Sequence, residues 1–270
     1  MRRARTTLYV GGLLLLLLAV VAGSADVLYP DDPLSMVAEP LLWPGQDWAY
    51  PLGTDSLGRD IAAGIAHGAR ASLLVGFVAS ALALSLGTAV GALAGHSGGG
   101  VDDSLMRVSE LFQSVPPFML VVVLLVLVPP TLGAITLAIA VVSWPPVARL
   151  VRAEVAVLRD REFVQSCRVI GMGDARIILT QILPNALPVL VVSGTLLVAT
   201  AILMEAALSF LGLGDPNLVT WGSMIGAGRD QLREAWYIVV VPGLALLLTA
   251  MALNLFGDGL NDALNPRGRG

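Results

Sequence analysis

Five stretches of this chain contain no aspartate, glutamate or arginine, and lysine is absent throughout. They cover residues 6–25, 71–101, 111–148, 177–204 and 235–257. A hydrocarbon layer about 30 Å thick is crossed by roughly 20 helical residues, so each stretch is long enough to span, and the third is about twice the length one span needs. The middle of the third reads Pro129-Pro130-Thr131-Leu132-Gly133, which breaks a helix and supplies a tight turn. It therefore divides into two spans joined by a short outer hairpin. The fifth span is placed from about Ala186, past Glu205, to about Leu211. The expected fold is all-α: a polytopic membrane protein with six transmembrane helices. Composition agrees, because 56% of the residues are hydrophobic and only 13% are charged. That is half the usual charged share of about a quarter, too little to cover the apolar surface in water.

Arginine placement tests the count of six independently, since cytoplasmic segments carry the excess of basic residues. Six crossings put Arg2, Arg3, Arg5, Arg107, Arg149, Arg152, Arg159, Arg161, Arg168, Arg176, Arg267 and Arg269 on one side and leave only Arg59, Arg70, Arg229 and Arg233 on the other. Removing the third span, which Pro116-Pro117 interrupts, would carry the Arg-rich loop outside. Those prolines read as a kink, or alternatively as a functional hinge. The predicted organisation is an N-terminal transmembrane helix (1–27), an extracytoplasmic segment (28–70), a five-helix core (71–265) with a cytoplasmic loop at 150–185, and a tail (266–270). The Arg-rich start and the small residues Ala22-Gly23-Ser24-Ala25 also resemble a cleavable signal peptide, but the apolar run is longer than a signal core, which favours an uncleaved anchor. Trp43, Trp48 and Tyr50 suit the outer interface.

Several chemistries are excluded. Without lysine there is no P-loop and no Schiff base. His67, His96 and the lone Cys167 cannot form an intrachain disulfide or a usual structural zinc site. Both histidines read as ordinary boundary residues, and a net charge of −4 with no basic run gives no sign of nucleic-acid binding.

In the loop after the fourth span, Phe163, Cys167 and Ile170 recur at i, i+4 and i+7, with Gln165 and Arg168 pointing elsewhere. Gly171-Met172-Gly173 breaks this helix, and Asp174 is placed to cap a second stretch, 175–183, that Pro184 closes. The pair is either an amphipathic element lying on lipid or a docking knob for a soluble partner.

The run Glu162-Phe163-Val164-Gln165-Ser166-Cys167-Arg168-Val169-Ile170-Gly171, with Pro184 thirteen residues after the glycine, resembles the EAA loop of ABC-importer permeases. Gln165-Ser166-Cys167 stand where Glu-Ala-Ala would, and Gln181-Ile182-Leu183-Pro184 where that loop ends. The outer segment Leu52-Gly53-Thr54-Asp55-Ser56-Leu57-Gly58-Arg59-Asp60, with Arg70 leading into span two, is similar to the C-type permease of dipeptide and oligopeptide importers. So are Asp102 with Met106-Arg107 and Pro116, Glu205 with Leu208-Ser209-Phe210-Leu211-Gly212, and Trp221-Gly222. The resemblance implies a type I ABC-importer fold with a cytoplasmic coupling helix, in which Glu162, Phe163, Gln165, Ser166, Cys167, Arg168, Ile170, Gly171, Met172, Asp174 and Pro184 engage an ATPase. It also implies a homologous second permease, two ATP-binding subunits that hold the ATP and magnesium, and an extracytoplasmic substrate-binding protein. This chain would bind no cofactor and no metal, catalyse nothing, carry peptide and lie in a bacterial plasma membrane with both termini cytoplasmic. Nickel chelates, glutathione and haem-like ligands are the alternative cargoes.

In the outer segment, Thr54 and Asp55 read as N-caps of a short helix leading to Arg70, or as a surface that receives the binding protein. Glu205 is the one acid within a span, and three roles suit it: a salt bridge or cap at the outer mouth, a group touching a peptide amine, or a proton relay. An ion-driven transporter would carry more intramembrane charge or an inverted repeat, and an intramembrane protease would need a histidine or paired aspartates in mid-span. A scaffold without a pathway is a further alternative.

Overall fold

The computed structural model describes residues 2–264, with side chains from 6 to 263. The tail at 266–270 with Arg267 and Arg269, and the side chains of Arg2, Arg3 and Arg5, lie outside the described residues. Five helices are long and apolar enough to cross a bilayer: α1 (Arg2–Leu28), α2 (Ile61–Ser97), α5 (Leu132–Arg159), α8 (Leu183–Phe210) and α10 (Tyr237–Leu264). Between them lie α3 (Gly99–Gln113), α4 (Pro117–Val126), α6 (Glu162–Val169), α7 (Asp174–Ile177) and α9 (Trp221–Gly228). Among the described residues the only strand-like pairing is a bridge between Thr54 and Asp60. Leu13, Leu16 and Leu17 on α1, and Leu244 and Leu247 on α10, stand exposed, as side chains facing lipid must.

The expected third span is broken near its start. α3 and α4 meet at 78° because Pro116 forces the preceding Val115 out of helical geometry and cannot itself donate a helical hydrogen bond. The ten residues of α4 reach about 15 Å, half the hydrocarbon thickness. The kink expected at Pro116-Pro117 is therefore present, and it is sharp enough to divide the span into two helices. Other boundaries shift for identifiable reasons. α2 begins ten residues before Ala71 because Arg70 pairs with Asp26 at the end of α1, Nη1 to Oδ2 2.7 Å, so its charge does not stop the helix. α5 continues to Arg159 and carries Arg149 and Arg152, which the sequence reading assigned to the loop.

The centre of the fold is the seam between α2 and α5. Ala83, Gly87, Gly91 and Gly95 recur every fourth residue on one face of α2, the spacing that lets two membrane helices approach at backbone distance. A Cβ on Gly87 would sit 2.6 Å from Val147 Cβ, one on Gly91 would strike the Ala148 carbonyl, and one on Gly95 would lie 2.6 Å from the Arg152 carbonyl. At one end of this seam, Arg152 Nε of α5 donates to both oxygens of Asp102 on α3 at 2.9 and 3.1 Å. α8 packs on α2 above the seam, where Gly76 faces Ile202, and α10 packs beside α1.

Candidate functional site: an exposed helix at one end and a hydroxyl-caged carboxylate at the other

α6 stands beyond the end of α5. Glu162 in its first turn complements the positive end of the helix dipole. Its exit is a Schellman turn: Gly171 takes φ +78°, its N–H donates to the Arg168 carbonyl (2.9 Å), and the Met172 N–H donates to that of Cys167 (3.0 Å). The packed side chain is Val164, 0% exposed against Val151, Val155, Ile177 and Ile182. This corrects the expected Phe163–Cys167–Ile170 face. Cys167 and Met172 pack at the edge of that cluster, whereas Phe163 is partly exposed and Ile170 is 76% exposed beside Val169 at 87%. The Gln165 amide reaches the Arg159 carbonyl at 3.4 Å, and the Ser166 hydroxyl bonds back to the Glu162 carbonyl at 2.9 Å.

Asp174 does not cap α7, whose N-cap is Gly173 with no side-chain bond. Its carboxylate instead accepts from Nε2 of His96, at the end of α2, at 3.0 Å. The expected separate helix at 175–183 does not close at Pro184. α7 passes through a π turn, Ile178–Ile182, directly into α8, and Pro184, which has no N–H to give to the preceding turn, follows immediately on that π turn.

At the opposite end, residues 53–60 fold into a tight cap. Thr54 is fully buried, donating to the Glu39 carbonyl (2.6 Å) and accepting from the Leu42 N–H (3.0 Å). Asp55 accepts from the N–H groups of Leu57 (2.8 Å) and Arg59 (2.9 Å). Neither caps a helix. That role belongs to Asp60, which accepts from the Ala62 N–H at 2.8 Å, and burial pushes its carboxyl upward against the pull of its backbone donors. Gly53 and Gly58 both take positive φ and press on the Leu42 and Ala38 carbonyls, leaving no room for a Cβ. His67 is likewise more than a boundary residue, since Nε2 meets the Tyr29 carbonyl at 2.9 Å.

Glu205 is 0% exposed. It accepts from Ser209 (2.6 Å) on its own helix and from Ser72 (3.3 Å) on α2, and the buried Thr220, which caps α9, lies close by. No basic group pairs with it among the described residues, so the salt bridge, one of the three roles that suited it, is not formed, and hydroxyls surround the carboxylate instead. The cage joins α2, α8 and α9, and α9 lies so close to α8 that a Cβ on Gly222 would strike the Ala206 carbonyl. Glu205→Ala is expected to leave Ser72 and Ser209 without their acceptor and to lower stability by about 2 kcal/mol. Glu205→Gln, which keeps an acceptor, should retain most of it. Thermal unfolding in detergent checks the pair.

Sequence reading missed His96, Val164, the Asp102–Arg152 pair and the glycine seam. Of these, only the seam had a visible signal, its four-residue period.

A bundle of membrane-long helices, with a short apolar-tipped helix held clear of one end, defines the membrane subunit of a transporter. The chain belongs to the family described as binding-protein-dependent transport system inner membrane component, whose model matches residues 87–270. It is 40% identical over 264 residues to the di/tripeptide transport system permease protein DppC of Pseudomonas aeruginosa, covering 95% of this chain and 87% of that protein. It is 38% identical over 264 residues to the dipeptide transport system permease protein DppC of Haemophilus influenzae, covering 96% of this chain and 90% of that protein. The glutathione transport system permease protein GsiD of Pectobacterium atrosepticum is 36% identical over 257 residues, covering 95% of this chain and 85% of that protein. The fold is similar to a chain of the inward-facing MetNI methionine ABC transporter, with a TM-score of 0.63 at 20% identity, covering 74% of this chain and 96% of that one. The protein is thus a multi-pass inner-membrane permease subunit of an ABC importer. It is not itself catalytic, and it works with ATP-binding subunits and a substrate-binding protein.

Proposed function

We propose that this chain is one of two different permease subunits of an importer for dipeptides and oligopeptides, paired with a homologous chain and two ATP-binding subunits. The ATP-binding subunits hold the ATP and magnesium, and this chain binds neither. α6 is its docking helix. Val164 anchors it, Val169 and Ile170 enter an apolar cleft on an ATP-binding subunit, and Glu162, Gln165, Ser166 and Arg168 line the rim. ATP-driven closure of the ATP-binding subunits moves α6 as a rigid body, rocks the spans joined to it and exposes the path to alternate sides. The end bearing α6 and both termini are cytoplasmic. The cap at 53–60 with Arg70 faces outward, where the binding protein delivers cargo. The single observation that carries this reading is the presentation of α6: two large apolar side chains exposed at the exit of a helix that is anchored by the fully buried Val164. The peptide cargo is supported by relatives named for di- and tripeptides and for glutathione, itself a short peptide.

Gly171→Val tests the docking role. Beyond its chain neighbours, no atom of the described residues lies within 4 Å of a Cβ there, so the cost comes from the left-handed backbone, about 1–2 kcal/mol. The variant is expected to assemble and still hydrolyse ATP while uptake of a radiolabelled dipeptide falls. Wild-type uptake per ATP would contradict the assignment.

A further inference from the structure

Both ends of the proposed docking segment are tied to one turn of α2. Before α6, Arg159 Nη1 donates to the carbonyl oxygens of Gly95 (3.0 Å) and His96 (3.3 Å). After it, His96 Nε2 donates to Asp174 Oδ1 at 3.0 Å. The direction follows because the partner, an ionised carboxylate, only accepts. Gly95 rests against the backbone of α5, so this turn of α2 cannot slide past its neighbour.

The His96–Asp174 contact is poorly explained as a source of stability. The His96 side chain is 7% exposed and that of Asp174 is 73% exposed, so the attraction works through water and returns little. The other ring nitrogen, Nδ1, is buried with no hydrogen-bond partner among the described residues, and burying an unpaired polar atom is costly. An apolar side chain would serve packing better. What the contact supplies is position. Gly171, Met172 and Gly173 connect α6 to α7 without helical continuity, so a push on α6 reaches α7 only through packing and through contacts that hold the far side of this turn.

We propose that His96 is a positioning residue for energy coupling. Through Asp174 it locks the exit of the docking segment to the end of α2, so a displacement of α6 is carried into α2 as well as α8. The opposite half of α2 holds Ser72 against Glu205, so the displacement reaches the hydroxyl cage and α9. This inference rests on the reading of α6 as the docking helix.

The test uses the assembled transporter in proteoliposomes with its binding protein, scoring radiolabelled dipeptide taken up per ATP hydrolysed. His96→Ala and Asp174→Ala are each expected to lower that ratio about threefold, the factor a largely exposed charged contact carries, while ATP hydrolysis persists. His96→Gln keeps a donor and Asp174→Asn keeps an acceptor, and both are expected to restore it. If His96→Ala does not assemble, the exposed Asp174→Ala decides. A wild-type ratio in an assembled alanine variant overturns the proposal, as does a glutamine variant as impaired as the alanine one. Val169→Asp separates the two ideas: assembly that survives it removes the docking reading, whereas normal transport by a docking-competent His96→Ala removes only the strut.

Discussion

Gly91→Leu is expected to abolish the folded permease. A Cβ at this position would strike the Ala148 carbonyl and come within 2.8 Å of Val151 Cβ and 3.0 Å of the Arg152 nitrogen. Two of those three atoms are backbone, and α5 cannot retreat locally because Gly87 and Gly95 hold it one turn above and below. Overpacking a tight core costs about 1–3 kcal/mol when side chains can adjust, and more when they cannot. In a membrane the loss is compounded, since close packing rather than hydrophobic burial drives helix association. Fluorescence-detected size exclusion in mild detergent should show aggregate or no protein for Gly91→Leu and a partial loss for Gly91→Ala. Gly133→Leu, at the start of α5 with nothing within 4 Å of its Cβ, should behave as wild type.

The second large effect concerns the tip of α6. Replacing Val169 and Ile170 together by aspartate should leave the fold intact, because both side chains are exposed and the anchoring Val164 is untouched. Association with the ATP-binding subunits should fail. An anchor residue at the centre of an interface contributes about 2 kcal/mol or more, and a charge in its pocket adds desolvation. A loss of at least about thirtyfold in affinity is expected, read as absence of the ATP-binding subunits after affinity purification of the permease. Phe163→Ala, at the partly exposed side of the helix, should cost less.

The long helices were legible in the sequence because lipid imposes the same requirement at every point of a span: no charge, and every backbone group bonded within the helix. Requirements set by single neighbours were less visible. Thr54 and Asp60 are both good cap residues by type, and the choice between them is made by Leu42 and Glu39, which take up the Thr54 hydroxyl. Helical spacing picked Phe163, Cys167 and Ile170 as a face, yet an eight-residue helix is oriented by the valines of α5 it meets, and those select Val164. Ser72 lies 133 positions from Glu205 and His96 lies 78 from Asp174, so neither pairing leaves a local pattern. The glycine seam did leave one, in a period of four along α2, and it decides where α5 packs.

The chain has one cysteine, Cys167, half-buried on the inner side of α6, which makes a direct test of the docking helix simple. With Cys167→Ser as background, Ile170→Cys carries a short photoactivatable cross-linker in the assembled transporter within its membrane. The expected product joins this permease to an ATP-binding subunit and is lost when the linker is moved to Gly133→Cys at the opposite end of α5. A linker at position 170 that labels only lipid, with the ATP-binding subunits present and active, would contradict the account.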